Sequence, residues 1–317
     1  DAAIQKKPAI SRVMGHRGFI MLSGQFRLLD VDAASFNPWR IAEVRHRLGD
    51  HPLLQSDALI ALAKRMEQRG SVRSHGSGAQ AGTSFNHAPV IFPNKQAAAQ
   101  TVGNLREAKA WTSLLNVQTD PIYQKLVDEV LDDVKPLIDL KDPGMCYRGG
   151  WIFLTSPNTV TPFHIDKEHN FILQISGSKT LYVWEPDDTE VASEQARDLF
   201  HATHSRDLVT WRDEFRQRAR VFHVGPGMGA YMPSTSPHMV ENGPDPSVTI
   251  SFTYYTDSTR RNSALHSAHQ RMRGLGLSPS RVGDRPALDA LVHSIWRLGG
   301  RGQQPADSAP YASATIG

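Results

Sequence analysis

The chain has 317 residues and carries 35 Lys and Arg against 32 Asp and Glu, a formal net charge of +3, which is too small an excess to indicate a nucleic-acid-binding protein. Apolar residues make up 39% of the chain and charged residues 21%, a balance that is typical of a globular protein and excludes wholesale disorder. No apolar run approaches the roughly 18 residues that a membrane-spanning helix requires, so we expect no membrane partner.

Cysteine usage bears on the compartment in which the protein works. Cys146 is the only cysteine, so neither an intramolecular disulfide nor a cysteine-based zinc site can form. The pattern of a secretory signal is not visible in the first residues either. A reducing compartment suits such a chain, and we expect a cytoplasmic protein.

Residues 1–140 are predicted to form a helical and extended region that packs on a downstream barrel. Residues 1 to about 55 show only short apolar stretches and are predicted to be irregular or extended. Apolar spacing predicts helices over residues 57–69, 104–115 and 120–138. Ser56 or Asp57 is the expected cap of the first helix, and Pro121 stands at the first position of the last.

From residue 141 to residue 258 the pattern predicts a barrel of short strands. Runs of β-branched and aromatic residues, separated by turn clusters, predict strands at residues 151–154, 160–164, 171–175, 180–184, 221–224, 230–232 and 248–255. Closely spaced short strands are typical of an all-β sandwich or barrel. An insertion at residues 187–220 interrupts the series and has helical composition over residues 208–215.

The C-terminal part, residues 259–298, is predicted to be helical. One amphipathic helix spans residues 286–298 and carries an apolar stripe formed by Leu288, Leu291, Val292 and Ile295. Residues 299–317 are of low complexity, and we expect a flexible tail there.

The strongest local motif is Thr-Pro-Phe-His-Ile-Asp at residues 161–166, at the end of a predicted strand. Because side chains alternate along a strand, His164 and Asp166 project on one face. Taken alone, such a pair is more often a capping or solvated pair than a metal site. His238, after the strand at residues 230–232 and a turn, could complete the two-histidine, one-carboxylate triad that non-haem Fe(II) prefers.

Lys179 lies on the strand that follows the Ser-Gly-Ser turn at residues 176–178. A lysine that points into a barrel is costly to desolvate unless an anion meets it, so an inward Lys179 indicates an acidic ligand. An outward Lys179 would be an ordinary solvated side chain. Period-two alternation does not decide between these orientations, because the strand is apolar on both faces.

With these motifs in place, three blocks of the chain resemble JmjC-type, cupin-like Fe(II)- and 2-oxoglutarate-dependent oxygenases. The blocks are residues 151–188, residues 224–238 with the second histidine, and residues 251–255 with the strand that closes the barrel. Among these oxygenases the chain is most similar to the branch that contains the factor-inhibiting-HIF asparaginyl hydroxylase. The clear resemblance covers residues 151–255, about a third of the chain.

The resemblance implies a fold and a set of site residues. The fold is a mainly β, double-stranded β-helix (jelly-roll, cupin-like) barrel with flanking helices. The implied iron ligands are His164, Asp166 and His238. The implied 2-oxoglutarate residues are Thr161 and Lys179 at the distal carboxylate, Asn170 near the cofactor, and Ser251, where the asparaginyl hydroxylase has an asparagine.

The implied activity is hydroxylation of an unidentified substrate, which could be a peptide side chain, an amino acid or a small metabolite. Fe(II), 2-oxoglutarate and O2 take part, and succinate and CO2 are released. The alternatives are a non-catalytic metal-binding cupin, a JmjC-type protein demethylase and a zinc cupin isomerase, although an isomerase has no use for a carboxylate clamp. The resemblance also implies a homodimer through the C-terminal helix, but packing of that helix on its own barrel would explain its stripe equally well.

Overall fold

The computed structural model describes residues 28–299, so residues 1–27 and the predicted tail beyond residue 299 lie outside the described residues. The strands within residues 28–299 are β1 (Leu29–Asp30), β2 (Ala42–His46), β3 (Val72–Gly76), β4 (Ala110–Leu114), β5 (Cys146–Thr155), β6 (Val160–His164), β7 (His169–Ser176), β8 (Lys179–Val183), β9 (Arg220–Val224), β10 (Met228–Met232), β11 (His238–Asn242) and β12 (Ser247–Tyr255).

Helices flank these strands on both sides. The α-helices are α1 (Ser56–Gln68), α2 (Ala88–Ile91), α3 (Ala98–Gly103), α4 (Leu105–Ala108), α5 (Pro121–Asp139), α6 (Glu194–Thr203), α7 (Asp257–Gly274) and α8 (Pro286–Leu298). Short 3-10 turns lie at Pro52–Leu54, Val117–Thr119, Arg206–Leu208 and Asp213–Arg218. None of the helices within the described residues is long and apolar enough to cross a membrane.

The strands form two antiparallel sheets. The large sheet has the order β1-β2-β10-β7-β12-β5-β4-β3, and the small sheet has the order β6-β11-β8-β9. The strands β1 to β4 from the N-terminal region extend the large sheet at both ends. The core of the described chain is therefore a pair of antiparallel β-sheets, with helices outside them.

Three apolar clusters hold the layers together. The largest packs α1 and α5 against one face of the large sheet, through residues such as Leu62, Val130 and Phe252. A second joins the facing sides of the two sheets, with Ile172 from the large sheet and Leu181 from the small one. The third lies between the outer face of the small sheet and the insertion. The second cluster defines the interior between the sheets, where the site lies.

All seven predicted strands are confirmed, and so are the helices predicted over residues 57–69, 120–138 and 286–298. The N-cap of α1 is Gln55, which makes no side-chain capping bond, rather than Ser56 or Asp57. Residues 208–215, which have helical composition, form no α-helix: only parts of two 3-10 turns fall there, and the α-helix of the insertion is α6, further upstream.

The helix predicted over residues 104–115 is wrong. Only the single turn α4 is helical, and it ends at Lys109, whose left-handed φ of 48° directs the chain into β4. The strand β4 holds the aromatic Trp111 and the β-branched Thr112 and pairs with β3 on one side and β5 on the other. Ladder pairing on both sides outweighs the helical apolar spacing of this segment. Helix α7 lies almost entirely within residues 259–298, which were predicted to be helical, but its own bounds were not predicted because its sequence is polar all round.

Candidate metal centre

The structure brings His164, Asp166 and His238 together at one end of the small sheet. His164 ends β6 and His238 begins β11, and the two stand directly opposite each other in the strand pair. Asp166 follows β6 by two residues, and its Oδ2 lies 3.6 Å from His164 Nε2 and 3.7 Å from His238 Nε2. The three ligand atoms all lie within 4.8 Å of one another, which suits one shared metal ion.

Backbone carbonyls orient both imidazoles toward the centre. His164 Nδ1 lies 2.7 Å from the carbonyl oxygen of Pro162, and His238 Nδ1 lies 3.1 Å from that of Ser236. When Nδ1–H donates to a carbonyl, Nε2 carries the free lone pair that a metal needs. Burial, with the neighbouring His164 as the next cause, lowers the pKa of His238 to about 4, so this ring is neutral at physiological pH.

The carboxylate of Asp166 is shared between the histidines and Arg206. Arg206 donates from Nε to Oδ1 at 2.8 Å, and its Nη2 lies 2.7 Å from the same oxygen. Burial, the largest influence, raises the pKa of Asp166, but Arg206 and then the two histidines outweigh it and hold that pKa well below its usual range. The centre therefore offers two imidazoles and one carboxylate.

A β-bulge places Thr161 on the same face as His164. Three residues apart on a regular strand, these two side chains would point to opposite faces. The pairing of β6 with β11 shifts register between His238 and Val240, so that Thr161 stands opposite Val240 while His164 stands opposite His238. Trp111 Nε1–H donates to Thr161 Oγ1 at 2.8 Å, which leaves the hydroxyl hydrogen of Thr161 free for another acceptor.

Lys179 points into the interior, which answers the question that its sequence left open. Along β8 it shares a face with Leu181 and Val183, both of which belong to the cluster between the sheets. Its exposed fraction is 5%, and within residues 28–299 its ammonium group has no hydrogen bond or ion pair. Burial lowers the pKa of Lys179 to about 7. A buried lysine without an anionic partner is costly, so this position favours an acidic ligand.

Asn170 and Ser251 face the same interior from the large sheet. Ser251 pairs with Ile172, a member of the cluster between the sheets, and Asn170 lies two residues from Ile172 on the same face. Asn170 Oδ1 and Ser251 Oγ are both buried and have no hydrogen-bond partner in the described chain. Unpaired polar atoms in a protein interior indicate a missing ligand or water.

These donors fit a metal ion together with an acidic chelating ligand. The two imidazoles and the single carboxylate form the open triad that suits Fe(II). Within the described part of the chain, the hydroxyl of Thr161 and the ammonium of Lys179 are donors without an acceptor, and donors of this kind bind a carboxylate. Sequence reasoning missed Trp111 and Arg206, because their contacts span 50 and 40 residues and no local signal precedes them.

A second cluster of ionisable groups lies between α6 and α7, where Glu194, Asp198 and His266 approach one another. Arg273 Nε donates to Asp198 Oδ2 at 2.7 Å, and Arg281 Nε lies 3.5 Å from Glu194 Oε1. With its carboxylates neutralised by two arginines, this cluster acts as an ion-pair network that joins the two helices.

The chain matches no known protein-family model and no curated protein. Solved structures similar to it include the ribosomal oxygenase YcfD from Escherichia coli in complex with cobalt and 2-oxoglutarate, at 16% identity and a TM-score of 0.41, over 82% of this chain and 63% of that one. Another is the DMSP lyase DddQ from Ruegeria pomeroyi, at 11% identity and a TM-score of 0.23, over 34% and 38%.

A third is a deletion mutant of the Bacillus subtilis oxalate decarboxylase OxdC, at 12% identity and a TM-score of 0.26, over 53% of this chain and 33% of that one. The chain therefore spans less than two thirds of the length of each of these structures. Likeness at this level says nothing about activity or substrate. Since these are structures of other proteins, the resemblance to the asparaginyl hydroxylase branch stays a prediction.

Proposed function

We propose that the protein is an Fe(II)- and 2-oxoglutarate-dependent oxygenase whose two facing sheets form a double-stranded β-helix barrel. The observation that carries this proposal is Lys179, a buried lysine without a partner among residues 28–299, which shares an interior with a two-histidine, one-carboxylate cluster. The cluster supports a metal ion, and the lysine supports an anion beside it. A dicarboxylate that chelates the metal at one end and meets the lysine at the other satisfies both.

The spacing along the small sheet suits a dicarboxylate that reaches from the metal ligands toward Lys179. His238 stands opposite Val183, and Lys179 lies four residues from Val183 along β8, roughly 13 Å at 3.3 Å per residue. Thr161 lies between these two positions, because it stands opposite Val240, two residues along β11 from His238. A ligand that extends from the metal past Thr161 would meet the side chain of Lys179, if that side chain extends along the sheet toward the metal ligands.

Each group has a defined task in this proposal. His164, Asp166 and His238 hold the metal and leave positions open for other ligands. Lys179 binds the distal carboxylate by charge and Thr161 by its hydroxyl, while Asn170 and Ser251 supply polar contacts from the large sheet. Bound Fe(II) and 2-oxoglutarate supply the activation of O2, with release of succinate and CO2. The surrounding apolar residues exclude bulk water from this chemistry.

The alternatives make different use of the interior. A non-catalytic metal-binding cupin or a zinc isomerase needs the three ligands but has no need for Lys179 and Thr161. A JmjC-type demethylase would use the same residues as a hydroxylase and would differ only in its substrate. Hydroxylation of a peptide side chain, an amino acid or a small metabolite is therefore the first activity to screen.

The test is an anaerobic titration of the Fe(II)-loaded protein with 2-oxoglutarate, followed in the visible spectrum. We expect a weak metal-to-ligand charge-transfer band, absent from Lys179→Ala, and slow succinate release once O2 is admitted. Bound iron without such a band would favour the non-catalytic cupin. Failure of the wild-type protein to bind iron would refute the metal centre itself.

A further inference from the structure

Arg206 divides the two oxygens of Asp166 between two tasks. Its Nε and Nη2 both approach Oδ1, at 2.8 and 2.7 Å, whereas Oδ2 faces the two histidines. Both side chains are largely buried, with exposed fractions of 14% for Arg206 and 25% for Asp166. A charge-assisted, two-pronged contact of this kind is strong and directional. The contact leaves Oδ2 as the oxygen that faces the two histidines.

The neighbouring residue, Asp207, binds a different part of the chain. Its Oδ1 accepts a hydrogen bond from Ser84 Oγ at 2.7 Å, and its Oδ2 lies 3.2 Å from His87 Nδ1. We call residues 84–87 the entrance loop. Arg206 and Asp207 share one 3-10 turn, so this turn connects the entrance loop to the metal ligand.

Phe85, in the middle of the entrance loop, touches the centre directly. Its ring stacks on the imidazole of His164, with centroids 4.0 Å apart and an interplanar angle of 18°. The guanidinium of Arg206 lies 5.4 Å from the centroid of the same ring and that of Arg73 lies 4.6 Å from it. Arg73 also donates to the carbonyl of Phe85. The loop is thus held against one metal ligand while Asp207 holds it to the turn.

A pocket of about 160 Å³ lies beside these contacts. It is lined by the loop residues Ser84 and Phe85, by Arg206 and Asp207, and by Trp211 and Phe163. Any molecule that enters this pocket meets the entrance loop and the turn together. A displacement of the entrance loop or of the turn would alter the position of Arg206 relative to Asp166 Oδ1.

From these contacts we infer that Arg206 is a positioning residue that confines Asp166 to ligation through one oxygen, and that Asp207 makes this positioning depend on the entrance loop. The inference rests on the proposed metal centre. It adds that Arg206 determines how many coordination positions of the metal Asp166 occupies. One-oxygen ligation leaves room for a chelating co-substrate, whereas two-oxygen ligation would occupy a position that the chelate needs.

The experiment uses the whole protein loaded with Co(II), whose visible ligand-field spectrum reports the number and kind of its ligands. We compare wild type with Arg206→Gln and Asp207→Ala. Arg218→Gln is the matched control, because Arg218 also binds a carboxylate, Asp188, through Nε and Nη2 within the insertion. Co(II) and 2-oxoglutarate affinities and thermal midpoints are measured on the same samples.

For Arg206→Gln we expect an altered Co(II) spectrum, metal affinity reduced by about 10- to 100-fold, and weaker 2-oxoglutarate binding to the Co(II) form. Asp207→Ala should shift the spectrum in the same direction by a smaller amount, and Arg218→Gln should match wild type. If Arg206→Gln does not fold, Arg206→Lys replaces it. Lysine keeps the positive charge but lacks the paired Nε and Nη2 donors, so the Arg206→Lys spectrum should also differ from wild type.

Two results would overturn the inference while the proposed function stands. One is a wild-type Co(II) spectrum in the Arg206 variants, even if their thermal midpoints fall, because Arg206 would then be only structural. The other is a wild-type spectrum in Asp207→Ala, which would remove the dependence on the entrance loop. Failure of the wild-type protein to bind Co(II) refutes the metal centre, and the inference falls with it.

Discussion

Replacement of Lys179 by methionine removes the ammonium group and keeps an unbranched side chain in the interior. Loss of one partner from a buried charge pair costs about 2–5 kcal/mol, so we expect 2-oxoglutarate to bind about 30-fold to several thousand-fold more weakly. The metal ligands stand four residues further along the sheet, and metal affinity should be unchanged.

The same variant should be more stable than wild type when no ligand is bound. Burial lowers the pKa of Lys179 from 10.5 to about 7, a shift that corresponds to roughly 5 kcal/mol at most. Because the folded-state pKa lies below the unfolded one, folding is penalised fully below about pH 7, and the penalty fades as the pH rises toward 10.5. The gain from Lys179→Met should therefore be largest at and below neutral pH.

Anaerobic calorimetry of the Co(II)-loaded proteins measures the 2-oxoglutarate affinity without turnover, and urea unfolding of the metal-free proteins measures the stability. Lys125→Met is the matched control, since Lys125 is exposed on α5 and should change neither quantity. Unchanged 2-oxoglutarate affinity in Lys179→Met would refute the carboxylate site. A variant less stable than wild type at pH 7 would show that Lys179 has a partner in solution.

Four further outcomes are expected. His238→Ala leaves two protein ligands, and Co(II) titration should show loss of stoichiometric binding; wild-type affinity would contradict the centre. 2-Oxoglutarate affinity should fall as the pH rises above about 7, the pKa of Lys179, and calorimetry that finds no proton uptake would argue against this. Trp111→Phe should weaken 2-oxoglutarate binding by about tenfold or less, because it removes one neutral hydrogen bond to Thr161, with Co(II) binding as the control. We also propose a homodimer through α8, where Leu291 is 56% exposed. Light scattering should find a dimeric wild-type protein and a monomeric Leu291→Glu variant, and equal molar masses for the two proteins would contradict this interface.

The sequence was sufficient for much of the fold and for the three candidate ligands. Short β-branched and aromatic runs with turns between them predicted β5 to β10 and β12, because alternation and turn chemistry are local properties of the chain. Residues 110–114 show where local reasoning fails. Their apolar spacing favoured a helix, and only pairing with two other strands makes β4.

The candidate site divides in the same way. His164, Asp166 and His238 could be proposed from residue types and strand placement alone. The inward orientation of Lys179 could not, because its strand is apolar on both faces and only the second sheet shows which face is interior. The position of Thr161 beside His164 depends on a bulge that is a property of the β6–β11 pair rather than of β6.

Local sequence determined which side chains were available for metal and anion binding, and tertiary structure decided how they are held. Trp111 orients the hydroxyl of Thr161 from another sheet, and Arg206 holds Asp166 from the insertion. Both contacts join residues 40 or more positions apart, where no periodicity or spacing carries information. Such pairs form only when folding buries polar groups together and each must find a partner.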